Sequence, residues 1–158
     1  MSPRFIDQLS LFDGVADALR AMVPAEFGEL RCPARRYGIK VWFGGEKPER
    51  AHYEAQVIAP RFAPDATVLA LEVGFHAEYP RKADNDAALD SLLAAERKWR
   101  RKLGPEAEGG AFLGHAESWR RLSETWPDPD LGSPDLAFEV AARLTDYITA
   151  LEPLRRRT

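Results

Sequence analysis

Residues 67–79, TVLALEVGFHAEY, alternate between apolar and polar side chains almost without a break. Leu69, Leu71, Val73, Phe75, Ala77 and Tyr79 fall on one side. Val68, Ala70, Glu72, Gly74, His76 and Glu78 fall on the other. A period of two over this length predicts a strand with one face in the core, long enough to be the central strand of an antiparallel sheet.

Two shorter segments carry the same pattern. In 36–43, Tyr37, Ile39, Val41 and Phe43 oppose Arg36, Gly38, Lys40 and Trp42. In 52–59, Tyr53, Ala55, Val57 and Ala59 oppose His52, Glu54, Gln56 and Ile58. The polar turn GGEKPER joins them, so they read as a hairpin that leads through a proline-containing loop into the central strand. Segments 111–113 and 119–126 are expected as further strands, with a turn at 114–118.

Helical periodicity appears three times. Ser2 and Pro3 suit the cap and first position of a helix over 3–23, with Phe5, Ile6, Leu9, Phe12, Ala16, Leu19 and Val23 as its stripe and Gly14 as a weak point. Asp84 is the expected cap of a helix reaching Leu103, where Gly104 and Pro105 stop it. Ser133 and Pro134 open the last helix, Pro153 is expected to end it, and Arg155, Arg156 and Arg157 form an expected frayed tail. The segment 25–35 reads as loop. These elements predict an α+β fold, a two-layer domain in which helices pack on one face of an antiparallel meander sheet. The chain is expected to be one domain over 1–158: an N-terminal helix at about 3–23, sheet and helices at about 36–152, and a basic tail at 153–158.

With a net charge of −3, the chain is not built to coat nucleic acid by charge alone. Cys32 is the only cysteine, so neither an internal disulfide nor a cysteine-rich zinc site is available. The N-terminus has no signal-like apolar stretch, and no apolar run reaches membrane-spanning length. A cytoplasmic location is expected.

The sheet face turned from the helices collects Lys40, Trp42, His52, Glu54, Gln56, Glu72, His76 and Glu78. Hairpin pairing sets Lys40 opposite Glu54 and Trp42 opposite His52, and one register of the next pair sets His52 opposite His76. Two imidazoles with carboxylates on adjacent strands suit zinc or another transition ion. The same alternation describes a solvated face laced by ion pairs, and that is the expectation here, with no metal or cofactor. Glu54-Ala55-Gln56 has the form of the second half of a metal-nuclease signature, but its partner acid must come from Glu26, Glu29, Glu46 or Glu49, none on a predicted strand. A basic run, Arg97, Lys98, Arg100, Arg101 and Lys102, surrounds Trp99. Its placement at a helix end matches the dipole, and a phosphate-gripping patch is the competing reading. Cys32 is expected to be inert, and Gly109-Gly110 lacks the rest of a phosphate loop.

The segments LALEVGF, AAERKWRRKLG, WRRLSE and YITALEPL, spread over 68–154, give the second half a weak resemblance to an uncharacterised bacterial domain often found after restriction-nuclease-like modules. The resemblance implies the fold and a prokaryotic defence or nucleic-acid context, without catalytic residues. The expected function is a non-catalytic binding or interaction module with a protein or small-molecule partner, self-associating as a homodimer, and without nucleic acid or membrane as partners. The alternatives are a metal-dependent hydrolase or nuclease on the polar sheet face and a nucleic-acid binder at the basic helix end.

Overall fold

The computed structural model describes residues 3–157, with side chains from Leu11 onward. Six strands form one antiparallel sheet: β1 Leu30–Arg31, β2 Gly38–Phe43, β3 Ala51–Ile58, β4 Ala70–Ala77, β5 Glu108–Ala111 and β6 Arg120–Pro127. Their order across the sheet is β1-β2-β3-β4-β6-β5. Four helices complete the α+β fold: α1 Pro3–Met22, α2 Lys82–Ala94, α3 Glu96–Leu103 and α4 Leu136–Arg155. Among the described residues, no helix is long and apolar enough to cross a membrane.

The register follows the alternation. Lys40 pairs with Glu54, and His52 lies directly across from His76. Leu71, Val73, Phe75 and Ala77 of β4, with Tyr53 and Ala55 of β3 and Leu122 of β6, enter the core built with α1, α2, α3 and α4. α1 and α4 pack closely enough that a methyl group at Gly14 would lie 3.0 Å from Ala137 Cβ. Gly14 therefore marks a close helix crossing, and α1 runs through it unbroken. Ser2, the expected cap, and the side chains of Phe5, Ile6 and Leu9 lie outside the described residues.

Four local expectations are corrected. The segment read as loop contains β1, which pairs with β2 through Leu30–Phe43 and Arg31–Trp42. The helix expected over 84–103 starts at Lys82 and breaks at Ala95. Buried Trp99 explains the break: its indole N–H donates to the Leu92 carbonyl at 2.7 Å, an acceptor that a continuous helix would use itself. The strand expected at 111–113 lies at Glu108–Ala111, and its pairing with Ser123 to Arg120 extends the sheet edge. Finally, Pro153 sits within the last turn of α4 and the tail is anchored. Arg155 and Arg156 both bind Glu152, at 2.9 and 2.8 Å, and Arg155 lies over the Phe75 ring. Tyr53 donates to the same carboxylate from the sheet, which ties the C-terminus of α4 to β3.

Candidate metal centre

The second face of the sheet is also covered. Residues 59–69 and 112–119 fold across it, and a small apolar cluster of Ile58, Ala63, Ala66 and Ala70, joined by Phe62 and Leu113, closes one end. Phe112 stands edge-on to the His76 ring at 5.2 Å and is itself flanked by Trp119 at 5.1 Å. The expected solvated face is therefore corrected to a buried one. His52, Glu54, Glu72, His76 and Glu78 are all buried, with Glu72 and His76 fully so. Alternation reports which side chains share a face and nothing about what covers them. The loops that do so are short and carry no regular period.

Within this layer two imidazoles and two carboxylates converge. His52 Nε2 is 2.8 Å from Glu54 Oε1 and 3.6 Å from Glu78 Oε2. His76 Nδ1 is 3.3 Å from Glu54 Oε1 and 3.1 Å from Glu78 Oε2. All four donor atoms lie within 4.8 Å of one another. Bonds of ~2.0–2.1 Å place adjacent donors of a tetrahedral ion about 3.3–3.4 Å apart, so the four imidazole–carboxylate separations already lie near coordinating dimensions.

The outward nitrogen of each ring is fixed. His52 Nδ1 faces the Glu49 carbonyl oxygen at 2.9 Å, which can only accept, so Nδ1 carries the proton. His76 Nε2 faces Glu72 Oε2 at 3.0 Å and donates in the same way. In the metal-free protein the inward nitrogens, 2.8 and 3.3 Å from a Glu54 oxygen that only accepts, are protonated as well. Once those protons leave, each ring turns its lone pair toward Glu54 and Glu78, the arrangement that orients histidine ligands on metals. Glu72 is held in turn by Ser123, whose hydroxyl donates at 2.6 Å, and by Gln56 at 2.8 Å. Arg121 bonds the Ser123 hydroxyl at 3.2 Å. Lys40 donates to the second oxygen of Glu78 at 3.1 Å. Among the described residues, no buried side-chain polar atom is left without a partner.

Gly74 makes this layer possible. A methyl group there would lie 2.5 Å from the Leu122 carbonyl and 2.6 Å from Ser123. A side chain at this position would push β6 away and carry Ser123 off Glu72.

The charges balance in two ways. Without a metal, protonated His52, protonated His76 and Lys40 offset Glu54, Glu72 and Glu78. With a divalent ion, the ion replaces the two imidazole protons at unchanged net charge. In the metal-free protein, burial opposes protonation of His52, but its hydrogen bonds with Glu54 and Glu78 prevail and raise its pKa. Burial likewise opposes protonation of His76, and Glu72 and Glu54 raise it well above 6.5. Burial would lift the Glu72 carboxyl, but the His76 charge and the hydrogen bonds from His76, Ser123 and Gln56 hold it at about 2. Glu54 and Glu78 are lowered as well, against burial: His76 is the main opposing influence on Glu54, and hydrogen bonds from His52 and His76 act on Glu78.

A pH dependence follows. Raised histidines contribute stability that is complete below their ordinary value of 6.5 and lost as pH rises through the folded values. Lowered carboxylates contribute stability that is present above 4.5 and lost as pH falls through theirs. Chelator-treated protein should therefore be most stable between those two values and melt at falling temperature from pH 6.5 to 9. A divalent ion, which binds neutral imidazole, should reverse that trend. Melting temperatures that are flat with pH, with and without the ion, would contradict this assignment of charge.

Lys40, His52, Glu54, Gln56, Glu72, His76 and Glu78 thus gather as one network, with Lys40 and Gln56 in its outer layer. Trp42 does not join it; its indole donates to the Gly45 carbonyl at 2.8 Å, beside Cys32 and Pro33. Ser123 and Arg121 were not anticipated, although the period of two in 119–126 puts both on the metal side. The basic run lies away from the centre on α3. Trp99 is buried, Arg100 stacks on it at 4.4 Å and bonds the Gly104 and Ala107 carbonyls, and Arg97, Lys98, Arg101 and Lys102 are exposed. Cys32 is buried near the Ala16 carbonyl, and burial pushes its thiol pKa up, away from the reactive thiolate. No family model matches the chain, and no curated protein or solved structure shows significant similarity to it.

Proposed function

We propose that this chain is a metal-binding module whose His52, Glu54, His76 and Glu78 side chains hold one divalent first-row transition ion, with zinc the best match. The observation that carries the reading is the anchoring of both outward ring nitrogens. It turns the two inward ring nitrogens and two carboxylate oxygens toward one point, where a divalent ion would replace the two imidazole protons. A mixed nitrogen and oxygen set without thiolate suits zinc, cobalt, nickel, iron or manganese, and gives copper(I) no soft ligand. Four protein donors fill a tetrahedral shell, whereas catalytic zinc keeps a position for water. That favours a binding role over hydrolysis.

Hydrolysis is the second reading, favoured by a cleft that reaches Glu54. The nucleic-acid reading loses its stacking element, because Trp99 is buried and the exposed cations of α3 act as charge alone.

Equilibrium dialysis against zinc after chelation tests the proposal. One ion per chain is expected, retained against a weak chelator. Uptake below a tenth of an ion per chain, with the fold intact by circular dichroism, would overturn it.

A further inference from the structure

The centre is closed on most sides. The sheet itself separates it from the helices, Phe112 covers His76, and the Ile58–Ala63–Ala66–Ala70 cluster seals one end. The exit lies toward β2. Glu54 and Glu78 retain a trace of exposure at 7% and 5%, while the Lys40 side chain, bonded to Glu78, is 28% exposed. Here a cleft of about 300 Å³ opens, and Glu54, a donor of the centre, forms part of its wall. The same wall carries Lys40, Gln56, Tyr37, Arg35 and Arg36. Three cations therefore line a cleft whose floor includes a ligand of the proposed ion.

We infer that this cleft binds a phosphate group, which enters the shell of the ion beside Glu54 as a fifth ligand. The inference rests on the metal-binding reading above. Guanidinium groups match phosphate oxygens through paired N–H donors, and the two charges of a phosphate suit the two guanidinium groups better than the single charge of a carboxylate, with Lys40 shared with Glu78. A filled four-coordinate zinc shell is not a fixed limit, because zinc sometimes expands to five-coordinate, and the phosphate oxygen would take that fifth position. The cleft is of a size that admits a small phosphorylated molecule. No bond is made or broken in the bound group; a phosphate oxygen donates an electron pair to the ion while Arg35, Arg36 and Lys40 hold the remaining oxygens.

The test uses the full chain loaded with cobalt(II), whose visible absorption weakens when a four-coordinate shell gains a ligand. Inorganic phosphate at constant ionic strength should reduce that absorption saturably, with one phosphate per cobalt. Arg35→Ala combined with Arg36→Ala should weaken the phosphate response by about tenfold or more, because each charged hydrogen bond carries a substantial part of the affinity. Arg35→Lys combined with Arg36→Lys should recover part of it. Both arginines are exposed, so these variants are expected to fold, which circular dichroism checks. Stoichiometric cobalt with an unchanged spectrum in saturating phosphate would overturn the anion site and leave the metal reading intact. An equal response to acetate would overturn the phosphate assignment. A chain that takes up no cobalt would remove both readings at once.

Discussion

The Leu71→Asp chain should be unfolded under conditions in which the parent chain is native. Leu71 is fully buried on the helix side of β4, among Val73, Phe75, Leu144 and Ile148 in one apolar cluster. An aspartate there loses the leucine contacts and places a carboxyl in apolar surroundings without a partner. The two costs together come to several kcal/mol, comparable with the ~5–15 kcal/mol net stability of a domain. The neighbouring position behaves differently. If the polar sheet face were solvated, Glu72→Ala would be nearly silent. Glu72 is instead fully buried and accepts from His76, Ser123 and Gln56. Its removal orphans three donors, and losing one partner of a buried charged pair costs about 3–5 kcal/mol. Urea titrations should show a folded but weakened Glu72→Ala chain beside a Leu71→Asp chain with no cooperative transition. A Leu71→Asp transition close to that of the parent would show that the helix-side face is misassigned.

Alanine at His52 or at Glu54 should lower metal affinity by well over 100-fold. The expectation is scaled from the layer outside the ligands, where substitutions typically cost about 10–100-fold, and a ligand itself must cost more. Glu72→Gln provides the graded comparison, because it keeps the hydrogen-bonding shape while removing the charge that orients His76. It should fall in that ~10–100-fold range. Competition against a coloured chelator reads all three affinities in one assay. Ligand variants that bind as tightly as the parent would place the ion elsewhere.

The alternation in 67–79 carries most of what could be read in advance. It correctly divides Leu71, Val73 and Phe75 from Glu72, His76 and Glu78, and the hairpin pattern correctly sets Lys40 against Glu54. His52 opposite His76 was one register among several, and the turn alone does not choose it. Burial was not legible, since Phe112 and the 59–69 segment reach the polar face through irregular backbone that has no period to detect. Two of the elements misjudged in extent share a cause. Trp99 breaks its helix by capturing a carbonyl, and Glu152 holds Arg155 and Arg156 where a bare arginine tail would fray. Both are contacts between side chains and distant positions, which local propensity does not contain.

The most direct measurement is anomalous diffraction at the zinc edge from crystals of the zinc-loaded chain. One anomalous peak per chain is expected, about 2.0–2.2 Å from His52 Nε2, His76 Nδ1, Glu54 and Glu78. A well-ordered centre with no peak between those four side chains, or a peak only at surface carboxylates, would contradict it.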